Sequence, residues 1–227
     1  MNIMKTNIGE SLIESVSKNA AIDTVSEVAE LALDAALDEG ILKDIPVFGW
    51  IVRGARVVID IRDRILLKKI ALFLNPINQI DENQRLAFVN RELRNDTEKR
   101  KFGEQLILLL DRQESFEKSN FLGTIFAAYL RDEIERWEFD GIAAGIDTAS
   151  IMDLNDLLSG YRKYFEKEKE FNLMLHGTLQ RLVPAGFSSI RFGPTPWKAI
   201  DQKSSSNDTV WFAITIAGNR FCELLSS

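Results

Sequence analysis

Residues 22–38, "IDTVSEVAELALDAALD", hold neither Gly nor Pro and are rich in Ala and Leu, the composition of a stable helix. On a helical wheel Asp23, Glu27, Glu30, Asp34 and Asp38 fall within an arc of about 80°. Val25, Val28, Ala29, Ala32, Leu33, Ala35 and Ala36 cover most of the remaining circumference. A helix with so narrow an acidic stripe has to bury the rest of its surface, against other helices, in an oligomer or in lipid. Gly40 stands where a helix C-terminus accepts glycine well.

An uncharged octapeptide follows, "IPVFGWIV" at residues 45–52. Pro46 and Gly49 suit a turn, and Phe48 and Trp50 suit an apolar anchor. Beyond it, "RGARVVIDIRDRILLKKIALFL" reads as a helix from Ile51 to Leu74, stopped by Asn75-Pro76. Arg53, Arg56, Asp60, Asp63, Arg64 and Lys68 recur on one side of it, with Val58, Ile61, Ile65 and Leu72 opposite. Six basic residues (Arg53, Arg56, Arg62, Arg64, Lys68, Lys69) stand here against Asp60 and Asp63. The acid-striped and basic helices are expected to form an antiparallel hairpin with 45–52 as its hinge.

Further amphipathic helices come in close succession. Asp81 and Gln84 resemble a capping box opening a helix with Leu86, Val89 and Leu93 inward. Residues 97–113 align Phe102, Leu106, Leu109 and Leu110. Residues 116–131 align Phe121, Leu122, Ile125, Phe126 and Tyr129, and residues 135–146 offer Trp137, Phe139, Ile142 and Ile146. Short turns between such helices describe a bundle. Helices near 150–165 and 170–182 precede the loop "VPAGFSSIRF", the strand-like "TVWFAIT" and a last helix, "IAGNRFCELL". The β-rich residues flanking 193–208 read as a hairpin with a long tip. Helix, helix, strand, loop, strand, helix is the order of a winged helix, with Thr215 opening the last helix and Gly218 in its first turn. The expected fold is mainly α: an N-terminal amphipathic helical hairpin (1–75), a helical bundle (76–149) and a C-terminal winged-helix-like α+β module (150–227).

Composition narrows the function. Net charge is −6 and the pI about 5.0, which argues against general affinity for a nucleic-acid backbone. Residues 151–227 carry nine basic residues against eight acids, a poor electrostatic footprint for duplex DNA. Cys222 is the lone cysteine, so no intrachain disulfide forms, and "MNIMKTNIGESLIE" lacks the apolar core of a secretory signal. Both point to a cytoplasmic setting. The most apolar 19-residue window, Ile41–Ile59, contains Lys43, Asp44, Arg53 and Arg56, so a constitutive transmembrane helix is not expected. His176 is the one histidine, which leaves no His/Cys zinc site, and the phosphate-binding, dinucleotide and nucleophile-elbow motifs are all missing. No enzyme, cofactor or metal is expected. Cys222 reads as a packing residue and the run "EKEKE" at 166–170 as a solvated helix end.

Two readings stand for the hairpin. In one, residues 45–52 are a buried turn and the basic helix is a solvated face paired with the acidic stripe. In the other, the hairpin redeploys its apolar surface into lipid. Several copies then bring Asp23, Glu27, Glu30, Asp34 and Asp38 to a cation-favouring lumen, with Val47, Phe48, Trp50 and Ile51 in contact with the membrane. Arg53, Arg56, Arg62, Arg64, Lys68 and Lys69 then become candidates for gripping an anionic ligand, because guanidinium forks pair with phosphates bidentately.

The segment "LKDIPVFGWIVRGARVVIDIRDRILLKKIALFLN" resembles the Abi-alpha family of helical bacterial proteins linked to abortive infection by phage. "KFGEQLILLLDRQESFEKSNFLGTIFAAYL" and "FDGIAAGIDTASIMDLNDLL" are similar to it too, as is the winged-helix-like tail, so the likeness spans residues 42–225. The resemblance supplies no catalytic residues. It implies a non-enzymatic anti-phage effector, as in Hailong-type systems: a homo-oligomer, restrained by a nucleotide or oligonucleotide ligand or a regulatory partner protein. Such a protein is cytoplasmic and associates with the inner membrane on activation. The alternative is a cytosolic regulatory module whose winged helix binds DNA or a protein.

Overall fold

A computed structural model describes residues 3–18, 45–49, 61–164, 175–192 and 210–226. The chain is mainly helical, with one small antiparallel sheet near its C-terminus, and divides into two compact units, 1–134 and 135–227.

The first unit is built from α1 (Ile3–Ser17), a helical turn at 46–49, α2 (Ile61–Asn78), α3 (Glu82–Glu92), α4 (Asp96–Arg112) and α5 (Phe116–Leu130). α5 is its axis. Ser115 Oγ caps it by accepting from the Lys118 amide at 3.2 Å, and Phe121, Leu122, Ile125, Phe126 and Tyr129 are all buried, as their spacing predicts. The Phe126 ring lies 5.4 Å from Phe73 of α2 and 6.0 Å from Phe102 of α4, and Tyr129 stands edge-on to Phe88 of α3 at 4.6 Å. One aromatic cluster therefore ties four helices together. α2 and α5 cross closely at Gly123, where a Cβ would come within 2.8 Å of Pro76 Cγ. α1 and α4 cross where Gly9 and Gly103 put backbone against backbone.

Several expectations for this unit are corrected. Asn75-Pro76 does not stop α2, which runs on to Asn78 with Pro76 inside it. In the last turn Pro76 removes only one helical hydrogen bond, and complete burial of Ile77 offsets that loss. The inward face of α2 is Leu67, Ile70, Phe73, Leu74 and Ile77, while Ile61 and Ile65 are exposed. Asp81 does cap α3, its Oδ1 accepting from the amides of Asn83 and Gln84 at 2.9 and 3.4 Å. Val89 and Leu93 are buried as expected, but Leu86 lies at the rim. Arg85 takes the interior position, because its Nη1 finds two oxygens there, the Lys18 carbonyl at 3.3 Å and Asn78 Oδ1 at 3.1 Å. On α4, Phe102, Leu106 and Leu110 are buried and Leu109 is half-buried.

The second unit holds α6 (Arg136–Thr148), α7 (Ile151–Tyr164), α8 (His176–Arg181), β1 (Ser188–Phe192), β2 (Val210–Ile214) and α9 (Ile216–Ser226). On α6, Phe139, Ile142 and Ile146 are core, whereas Trp137, expected on the same face, is 69% exposed. Trp137 lies in the first helical turn, beyond the edge of the buried face. The hairpin is antiparallel, pairing Ser188 with Ile214 and Ile190 with Phe212. The long tip expected at residues 193–208 lies outside the described residues. Thr215 opens α9 as expected: its hydroxyl donates to the Gly186 carbonyl at 2.6 Å and accepts from the Gly218 amide at 3.1 Å. Phe187 stacks on Phe221 at 4.9 Å beside fully buried Cys222.

Candidate functional site

Asp23, Glu27, Glu30, Asp34 and Asp38 of the acidic stripe, and Trp50, Ile51, Arg53 and Arg56 beyond the turn, lie outside the described residues. The described part of the hairpin region is residues 45–49 and α2.

Pro46 sits in the first turn of a short helix, where its missing amide proton costs nothing. The turn closes with the Gly49 amide donating to the Ile45 carbonyl at 2.9 Å. Ile45, Val47 and Phe48 are buried, the last two completely. The amide of Val47 is an orphan donor of this short helix, and it donates to Ser15 Oγ of α1 at 3.1 Å. The Ser15 hydroxyl donates in turn to the Ser11 carbonyl of its own helix at 2.8 Å and is fully buried. Residues 45–49 and α1 thus form one hydrogen-bonded piece. α1 is held to the unit by burial of Leu12, Ile13 and Val16, by its glycine crossing with α4, and by Arg85 on the Lys18 carbonyl.

Arg85 is fully buried, and desolvation lowers its pKa against the pull of Glu82 and Asp81. It sits at the C-terminal ends of α1 and α2, where the carbonyl dipoles favour a cation. Asn78 Nδ2 in the same cluster is buried without a hydrogen-bond partner among the described residues.

The structure brings the described basic residues of α2 to different environments. Arg62 is exposed; Arg64 and Lys68 are half-buried, with Lys68 Nζ 5.8 Å from the centroid of the Phe116 ring. Lys69 turns inward. Its Nζ donates to the Asp111 carbonyl at 2.8 Å near the C-terminus of α4, and burial lowers its pKa while Asp111 raises it. Lys69 therefore serves a helix end, and the basic face of α2 narrows to Arg62, Arg64 and Lys68.

In the second unit Arg181 donates to Asp153 Oδ1 at 2.6 Å, and Ser150 donates to the other oxygen of the same carboxylate at 2.7 Å. Beside this pair a cavity of about 430 Å³ is lined by Asp156, Ser159, Lys163, Tyr164, Leu175 and Thr178, among others. His176 is exposed and stands edge-on to Phe212 at 5.1 Å. Burial pushes the Cys222 thiol well above its ordinary range, which disfavours the thiolate a nucleophile requires. Among the described residues no cluster of His, Cys, Asp and Glu could hold a metal ion, and no helix is long and apolar enough to cross a membrane.

Ser15 and Arg85 escaped the sequence reading. A serine in an amphipathic helix and an arginine beside a leucine carry no periodic signal, and both act through backbone groups distant in sequence. Comparison with family models, curated proteins and solved structures finds no match.

Proposed function

We propose that this protein is a non-enzymatic anti-phage effector that assembles as a homo-oligomer and disrupts the inner membrane through residues 22–74. The resting form is the one described here, with Val47 and Phe48 stored inside the N-terminal unit. The pattern of residues 22–74 and the likeness to the Abi-alpha family support this reading. The observation that carries it is the burial of an uncharged tip whose one described inter-element hydrogen bond, to Ser15, leaves no charge to extract on release. A restraining anionic ligand, a nucleotide or oligonucleotide, has Arg62, Arg64 and Lys68 as its described candidates, and a regulatory partner protein is the other form of restraint. Expression of the full chain in bacteria carrying a potential-sensitive dye tests the reading. Depolarisation and loss of viability are expected, and unchanged potential with full viability would sink it.

A second reading is favoured by the order α7, α8, β1, β2, α9 and the Thr215 cap, which suit a winged-helix-like regulatory module. The Arg181 guanidinium is engaged by Asp153, and Asp156 lies 4.0 Å away, so a protein suits this surface better than DNA. This reading predicts a partner recovered through residues 135–227 of the full chain and no effect on vesicles.

A further inference from the structure

We infer that α1 is an autoinhibitory clasp: its departure from α4 is the step that frees the 45–49 tip. The inference rests on the membrane-effector reading and names its regulation. Two sets of contacts lead to it. The tip is joined to α1 through the Val47 amide and Ser15 Oγ, so the two move together or the amide loses its acceptor. α1 in turn is held to the unit by burial of Leu12, Ile13 and Val16 and by a contact near each end. A Cβ on Gly9 would stand 2.5 Å from the Glu104 amide nitrogen and 2.8 Å from the Arg100 carbonyl oxygen, so the crossing is a bare backbone-on-backbone approach. At its other end one guanidinium, Arg85, holds the Lys18 carbonyl beside an unpartnered Asn78 amide. Departure of α1 would remove no ring from the aromatic cluster of α2–α5. The unit therefore retains a core when the clasp opens.

The test uses the purified full chain and vesicles of anionic bacterial-type lipid loaded with a self-quenching dye. Gly9→Ala wedges α1 from α4, and Ser15→Ala removes the acceptor of the Val47 amide. Leakage is expected to rise about tenfold for Ser15→Ala, the order expected from losing one buried hydrogen bond, and further for Gly9→Ala. Amide exchange at 45–49 should rise in the same order. Leakage from all three proteins at the wild-type rate would overturn the clasp and leave the effector reading standing. Faster exchange at 45–49 without added leakage would also overturn it, since the tip would then be plain core. If no protein leaks dye and expression leaves cells polarised, the effector reading falls and the clasp with it. Should Gly9→Ala unfold the unit, Ser15→Ala decides the matter alone.

Discussion

The crossing of α2 and α5 sets a quantitative demand on one methyl group. In Gly123→Ala the new Cβ would lie 2.9 Å from the Phe73 carbonyl carbon and 2.8 Å from Pro76 Cγ, and closer still to the Phe73 oxygen. Carbon–carbon contacts settle at about 3.5 Å or more, so the Pro76 contact alone requires the helices to part by roughly 0.7 Å, and the Phe73 oxygen requires more. These atoms belong to the backbone and a proline ring, neither of which can swing aside. A gap of that size forfeits about a quarter to a half of the dispersion energy across the crossing, on the order of 2–3 kcal/mol with the accompanying overpacking strain. Alanine returns about 1 kcal/mol through its better helix propensity. The net expectation is a loss of about 1–2 kcal/mol. Gly141→Ala is the matched control: it sits on α6, exposed, with nothing within 4 Å of the added carbon. It should gain up to about 1 kcal/mol. Urea unfolding of the full chain, followed by circular dichroism, reads both. A Gly123→Ala protein as stable as wild type would refute the close crossing, and with it the placement of the aromatic cluster.

Other perturbations test separate parts. Arg85→Met removes the donor to the Lys18 carbonyl and to Asn78; it should cost about 1–3 kcal/mol by urea unfolding and loosen amide protection in α1. Thr215→Val keeps the shape but deletes the α9 cap, an expected loss of about 1 kcal/mol in the second unit. Cys222 supplies a pH test. Its folded pKa is raised by burial, so the folded state holds the proton that the unfolded thiol releases, and stability must fall as pH rises above about 8.5. Cys222→Ala should flatten that part of the stability profile between pH 8 and pH 10, both measured as about one-unit steps in urea midpoint experiments. Unchanged slopes would place the thiol in water.

Much of the helical architecture is legible in the sequence because apolar spacing reports a face directly. Phe121 to Tyr129 and Phe102 to Leu110 lie where their periodicity puts them, and Asp81 and Thr215 cap the helices they precede. Periodicity does not report where the centre of that face falls. Ile61, Leu86 and Trp137 are apolar and exposed, whereas Arg85 and Lys69 are charged and buried. In each buried case the deciding partner is a backbone carbonyl from another helix, Lys18 or Asp111, which no local pattern announces. The glycine crossings are equally silent, since Gly9, Gly103 and Gly123 become meaningful only once two helices meet. Of the candidate site, the turn at Pro46–Gly49 and its apolar anchor Phe48 were legible; their acceptor, Ser15, stands 32 residues before Val47.

The most direct measurement is amide hydrogen exchange of the full chain, alone and during permeabilisation of anionic vesicles. The Val47 amide, buried on Ser15, should exchange slowly in solution. During permeabilisation residues 8–18 should lose protection together with 45–49. Rapid exchange at 45–49 in solution would contradict the stored tip. Protection that stays unchanged in both segments while the vesicles leak would contradict its release.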